Sequence, residues 1–64
     1  MTKDMFNKLR RGDVLTHVDS ISIIGLVMRK SMNGDKIDYI IVLWEDQQVD
    51  KYQERDAKNL YFYP

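Results

Sequence analysis

The stretch Ile37 to Trp44, I-D-Y-I-I-V-L-W, runs straight into the acidic pair Glu45-Asp46 and constrains the fold more than any other part of the chain. Its last five residues are an unbroken apolar run, mostly β-branched or aromatic and bounded by turn formers. Such a run is too short and too β-branched for a good helix and predicts the central strand of a small sheet. Alternate side chains on a strand point to opposite faces, so Tyr39, Ile41 and Leu43 share one side and Ile40, Val42 and Trp44 the other. Both sides are apolar, whereas 64 residues supply material for one core. The second side therefore calls for a cover: a terminal segment, a second copy of the chain, or a partner.

The rest of the chain reads as short strands around this one. In residues 1–11, Met5, Phe6 and Leu9 follow the spacing of one amphipathic helical turn, with Thr2 or Asp4 available as a cap; a segment this short needs tertiary support. Arg11-Gly12-Asp13 turns the chain into a first strand, Val14 to Val18. Residues 19–23 read as a loop leading into a second strand, Ile24 to Lys30, in which Gly25 signals a bulge or a close backbone approach. Asn33-Gly34-Asp35 is a strong hairpin signal, since Asn and Gly accept the positive φ of a primed turn, and it makes the second and third strands antiparallel neighbours. Gln48 to Tyr52 is a more polar fourth strand suited to a sheet edge. Arg55 to Asn59 suits a helical turn, and Leu60 to Tyr63 a last strand, with Leu60 and Phe62 on one face, Tyr61 and Tyr63 on the other, and Pro64 ending the pairing. Five antiparallel strands with a helical turn before the last describe an all-β small barrel. We expect one domain over residues 1–64: an N-terminal arm at 1–11 and the barrel at 12–64.

Composition narrows the function classes. Small domains commonly gain stability from disulfides, a metal or self-association. With no cysteine and a single histidine, His17, a disulfide framework and a structural zinc site are both excluded, and self-association is the route left. Ten basic and ten acidic groups cancel, which argues against a dedicated non-specific nucleic-acid binder. The charges divide along the chain: residues 1–36 hold seven basic and four acidic groups, net +3, and residues 37–64 hold three and six, net −3. No stretch is long and apolar enough to span a membrane, and the N-terminus lacks the apolar core of a secretory signal, so the expected location is the cytoplasm.

The order Leu9-Arg10-Arg11-Gly12-Asp13-Val14-Leu15, Ile24-Gly25-Leu26-Val27, Ile41-Val42-Leu43-Trp44-Glu45-Asp46 and Asp56-Ala57-Lys58-Asn59-Leu60 resembles the SH3-like small barrels encoded by tailed phages, especially those of marine cyanobacteria. The resemblance covers about residues 9–62. It implies an SH3-like barrel of phage or marine origin, placed in the host cytoplasm or the virion, and assigns no reaction. Two departures stand out: Gln47 occupies the place of a glycine after the W-x-D pattern, and the closing Asp-Leu is spread between Asp56 and Leu60.

Candidate chemistry is sparse. His17, Asp19 and Ser20 or Ser22 supply the residue types of a hydrolase triad, but no Gly-rich oxyanion segment follows, and a polar edge or loop accounts for them. Arg11-Gly12-Asp13 reads as an ordinary turn before a strand rather than a receptor motif. Asp35 with Asp38, and Glu45 with Asp46, are turn carboxylates too few for a calcium loop. No catalytic residue, cofactor or metal ligand is assigned. The aromatic load is the better signal: Tyr39, Trp44, Tyr52, Tyr61 and Tyr63 are of the types that concentrate at recognition surfaces, where they form a peptide groove or a cation cage. The rival class is single-strand nucleic-acid binding, through Arg29 and Lys30 beside Lys36, Arg10, Arg11 and Tyr39. The sequence points first to a non-enzymatic interaction or assembly module that binds a protein partner or a second copy of itself.

Overall fold

In the computed structural model, which describes residues 1–63, the chain forms one five-stranded antiparallel sheet with two small helical pieces. The order along the chain is α1 (Lys3–Phe6), β1 (Val14–His17), β2 (Ser20–Asn33), β3 (Lys36–Trp44), β4 (Val49–Tyr52), a 3-10 turn (Glu54–Asn59) and β5 (Leu60–Phe62). The spatial order is β4-β3-β2-β1-β5. The expected barrel is not closed. β4 and β5 are the two edges and do not pair with each other, because the 3-10 turn stands between them in the chain and carries the last strand round to β1. The stop to pairing expected from Pro64 lies outside the described residues.

The second strand is longer than expected, fourteen residues rather than seven, and takes in residues 20–23, which the sequence suggests as a loop. Ser20-Ile21-Ser22-Ile23 holds no Gly or Pro to break it, so extended backbone continues from the tight Val18-Asp19 turn. At its far end β2 joins β3 through Gly34-Asp35, with Asn33 opposite Lys36. The positive φ falls on Gly34 alone, at 65°, the requirement of a II′ hairpin. Two bulges lie in this hairpin. Met28 is the extra residue on β2 between the pairs Val27–Val42 and Arg29–Ile41, and Asp38 is the extra residue on β3 between Ser31–Tyr39 and Met32–Ile37. The second bulge shifts the phase of β3, so that Ile37 turns inward along with Ile40, Val42 and Trp44.

The inner face is thereby assigned. Ile40, Val42 and Trp44 are buried with Leu15, Val27, Ala57 and Leu60. Phe6 and Leu9 of the N-terminal arm are fully buried in the same cluster, so residues 1–11 complete the core of the domain. Polar contacts fix this arm. Thr2 caps α1 by accepting from the Met5 amide at 3.1 Å, and the Met1 ammonium donates to the carbonyls of Ala57 and Leu60. Asn7 Oδ1 accepts from the Ile37 amide at 2.8 Å, and Lys30 Nζ donates to the Leu9 carbonyl at 2.9 Å. The Arg-Gly-Asp segment is structural: Asp13 accepts from the Arg10 amide at 2.8 Å, and Gly12, at φ 98°, donates to Val27 O.

Gly25 is where the sheet depends most on the absence of a side chain. A Cβ there would lie 2.6 Å from both Trp44 Cε3 and Val42 Cγ1. The indole thus lies against the bare backbone of β2, which holds the ring at the end of the core nearest the β1–β2 and β3–β4 turns.

Candidate functional site

At that end of the sheet His17, Trp44 and Tyr52 line an open cleft of about 240 Å³, together with Asp19, Ser20, Ile23, Asp46, Gln48 and Asp50. His17 is the last residue of β1, Trp44 the last of β3 and Tyr52 the last of β4, so three strand ends deliver the rings. The ring centroids are 6.2 Å apart for Trp44 and Tyr52, 6.3 Å for His17 and Tyr52, and 6.4 Å for His17 and Trp44. Trp44 meets the other two edge to face, at interplanar angles of 76° and 87°. β1 and β4 stand three places apart in the sheet order. On a flat sheet that separation is about 14 Å, so rings at 6.3 Å record a strong curl that folds the two strands toward each other.

The electrostatics of the cleft have one sign. Asp19, Asp46 and Asp50 line it, and no lysine or arginine does. Burial, followed by the negative charge of Asp50, pushes the Tyr52 phenol above its ordinary pKa; the Trp44 indole N–H pulls the other way, and Asp56 adds a smaller push upward. Tyr52 therefore stays a neutral phenol throughout the physiological range, and its ring keeps an electron-rich face. Among the described residues no three His, Cys, Asp or Glu side chains converge closely enough to hold a metal ion. His17 Nδ1 accepts from the Asp19 backbone amide at 3.1 Å, with the Asp19 carboxylate 3.8 Å from the same nitrogen. A nitrogen that accepts this bond carries no proton to donate to Asp19, so the pair lacks the orientation of a Ser-His-Asp triad.

The residues singled out from the sequence divide between two sides. Trp44 and Tyr52 come together in the cleft with His17. Tyr39 lies on the opposite face, where Lys51 Nζ stands 5.0 Å from its ring centroid. Tyr61 and Tyr63 are exposed near the β5 edge on that same outer side, Tyr61 opposite Thr16 and Tyr63 bonded to the Val14 carbonyl. Arg29 is exposed at the Met28 bulge, and the Lys30 amine is engaged by Leu9. The grouping of His17 with Trp44 and Tyr52 is the part that sequence reasoning missed, since it depends on the curl of the sheet. No helix among the described residues is long and apolar enough to cross a membrane.

Comparison with protein-family models, curated proteins and solved structures gives no match.

Proposed function

We propose that this chain is a non-enzymatic protein-interaction module, an open, curled sheet related to the SH3-like proteins that tailed phages encode, whose cleft takes a cationic side chain from a partner protein. The observation that carries the reading is the set of three rings in a cleft lined by carboxylates and no base. The rings pack on one another at 6.2–6.4 Å, so a cation meets the cluster from the open side of the cleft, where an exposed ring face attracts it over ~6 Å. The partner's ammonium or guanidinium gains this attraction and the field of Asp19, Asp46 and Asp50. A phosphate meets those carboxylates with the wrong charge, which favours a protein partner over nucleic acid. The antiparallel order, the 3-10 turn ahead of β5 and the curl that brings β1 to β4 support the SH3-like reading. So does Gln47, which stands where the phage pattern has glycine and adopts a φ of 73°.

Trp44 is the only tryptophan, so its fluorescence reports on the cleft directly. Short peptides carrying lysine, trimethyllysine, arginine or glutamate at one position are titrated against the protein. Saturable quenching or enhancement is expected with the cationic peptides and none with glutamate. Asp50→Asn should weaken the binding severalfold while the thermal melt stays near that of the parent. Equal response to the glutamate peptide, or none to any cation, refutes the assignment.

A further inference from the structure

β4 is an edge of the sheet, with β3 on one side and, among the described residues, no strand on the other. The turn that precedes it decides which of its backbone groups face outward. The Trp44 amide donates to the Gln48 carbonyl at 2.9 Å, which makes Trp44 and Gln48 a hydrogen-bonded pair. Antiparallel pairs alternate between bonded and non-bonded, so Val42 with Asp50 and Ile40 with Tyr52 are the next bonded pairs. Val49 and Lys51 therefore turn their N–H and C=O groups away from β3, as a template for a further strand.

The two edges of the sheet differ. On β5, the bonds from the Tyr63 amide to Val14 O and from the Val18 amide to Asn59 O set the Leu60 carbonyl on the outer side, where the Met1 ammonium donates to it. On β4, Lys51 is of the type that commonly guards an edge, but its amine lies back over the outer face, 5.0 Å from the centroid of the Tyr39 ring. The β4 edge also adjoins the cleft. Asp50 and Tyr52 line the cleft from the inner face, while Val49, 61% exposed, and Lys51 alternate to the outer face.

We infer that the cationic side chain is delivered by an extended segment of the partner protein that adds to β4 as a further antiparallel strand; this rests on the cleft reading above and specifies how the cation is presented. Residues opposite each other across a strand pair share a face of the sheet. The partner residue opposite Asp50 thus points to the cleft side, in a non-bonded pair where the Cα atoms approach to about 4.5 Å. A lysine or arginine there meets Asp50 first and the rings beyond it. Its two neighbours lie on the outer face, one opposite Lys51 and the other opposite Val49. An acid suits the first and a β-branched apolar residue the second. Because the added strand runs antiparallel, the segment reads acid, base, apolar from its N-terminal end. The reverse order sets the acid against Val49 and the apolar side chain against Lys51.

The test uses the unaltered protein and end-blocked heptapeptides with Glu-Lys-Val at the centre, followed by Trp44 fluorescence and by NMR amide exchange. Saturating peptide should slow exchange at the Val49 and Lys51 amides severalfold. N-methylation of the peptide's glutamate or valine removes a donor aimed at β4 and should weaken binding about tenfold, the loss of one interstrand hydrogen bond. N-methylation of its lysine, whose N–H faces away from β4, should change little. Val-Lys-Glu should bind severalfold more weakly than Glu-Lys-Val. Equal binding by all three N-methylated peptides, or binding that leaves Val49 and Lys51 exchange unchanged, overturns strand addition while the cleft's preference for cations stands. Absence of any response to lysine and arginine peptides alike overturns the cleft reading and this inference with it.

Discussion

Replacing Gly25 by alanine isolates the close approach that seats Trp44. The backbone itself permits the change, because Gly25 is not among the residues of positive φ. On entropy alone, such a substitution stabilises by about 0.4–1 kcal/mol. The new methyl would, however, meet Trp44 Cε3 and Val42 Cγ1 at 2.6 Å and Trp44 Cζ3 at 2.8 Å, where ordinary carbon contacts lie near 3.5–4.0 Å. Clearance of roughly 1 Å must come from the indole and the valine together, and both are buried. Overpacking of this kind costs about 1–3 kcal/mol, and here the rigid ring places it toward the upper end. The net expectation is a loss of about 2 kcal/mol, or about 8–16 °C in the melting temperature of a domain this size. Urea denaturation followed by Trp44 fluorescence measures it, and the displaced indole should also show a shifted emission maximum in the native state. Adding Val42→Ala should return little, since the clash with the ring persists. If Gly25→Ala is as stable as the parent with unchanged emission, the indole does not lie against β2 and the account of how the cleft is positioned fails.

Three further outcomes follow from the structure. Phe6→Ala removes a fully buried side chain of the N-terminal arm and should cost about 3–5 kcal/mol in urea denaturation, whereas truncating an appendage would cost almost nothing. Gln47 is the only non-glycine residue of positive φ among those described, so Gln47→Gly should raise the melting temperature by a few degrees, corresponding to about 0.5–1 kcal/mol; Gln47→Ala should not. Folding raises the Tyr52 pKa above 10.0, so the folded chain holds this proton more tightly than the unfolded one. Its contribution is fully present below the ordinary phenol pKa and is lost as pH rises through the folded value; alkaline denaturation should show a shallower loss of stability in Tyr52→Phe than in the parent.

Much of the fold was legible in the sequence because its signals are local. The apolar run of β3, the Asn-Gly-Asp hairpin and the glycine inside β2 each act within a few residues, and each appears where the pattern places it. The inner face of β3 was not legible, since both of its sides are apolar and the choice is made by Phe6 and Leu9 packing against one of them. Nor was the Asp38 bulge, which turns Ile37 inward out of phase with a strict alternation. Barrel closure was expected from strand count, but closure needs the edges to meet, and the 3-10 turn keeps β4 and β5 apart. The cleft depends on the same long-range geometry. Trp44 and Tyr52 stood out as aromatic residues, while His17 joins them only because the sheet curls.

The pleat of β3 explains how so small a chain presents two different surfaces. Trp44 points inward and, at the strand end where the core opens, becomes a wall of the acidic cleft; Leu43, one residue earlier, points outward into a shallow apolar groove with Val14, Ile24 and Leu26. Their separation by a single residue places the two surfaces on opposite sides of the same backbone, with Trp44 bordering both. It also makes the β3–β4 turn common to both. Glu45, which lines the outer groove, is followed at once by Asp46 in the cleft, and Glu45 ties this turn to β2 by accepting from the Ile24 amide. A rigid, short turn held in this way carries the cleft with the sheet.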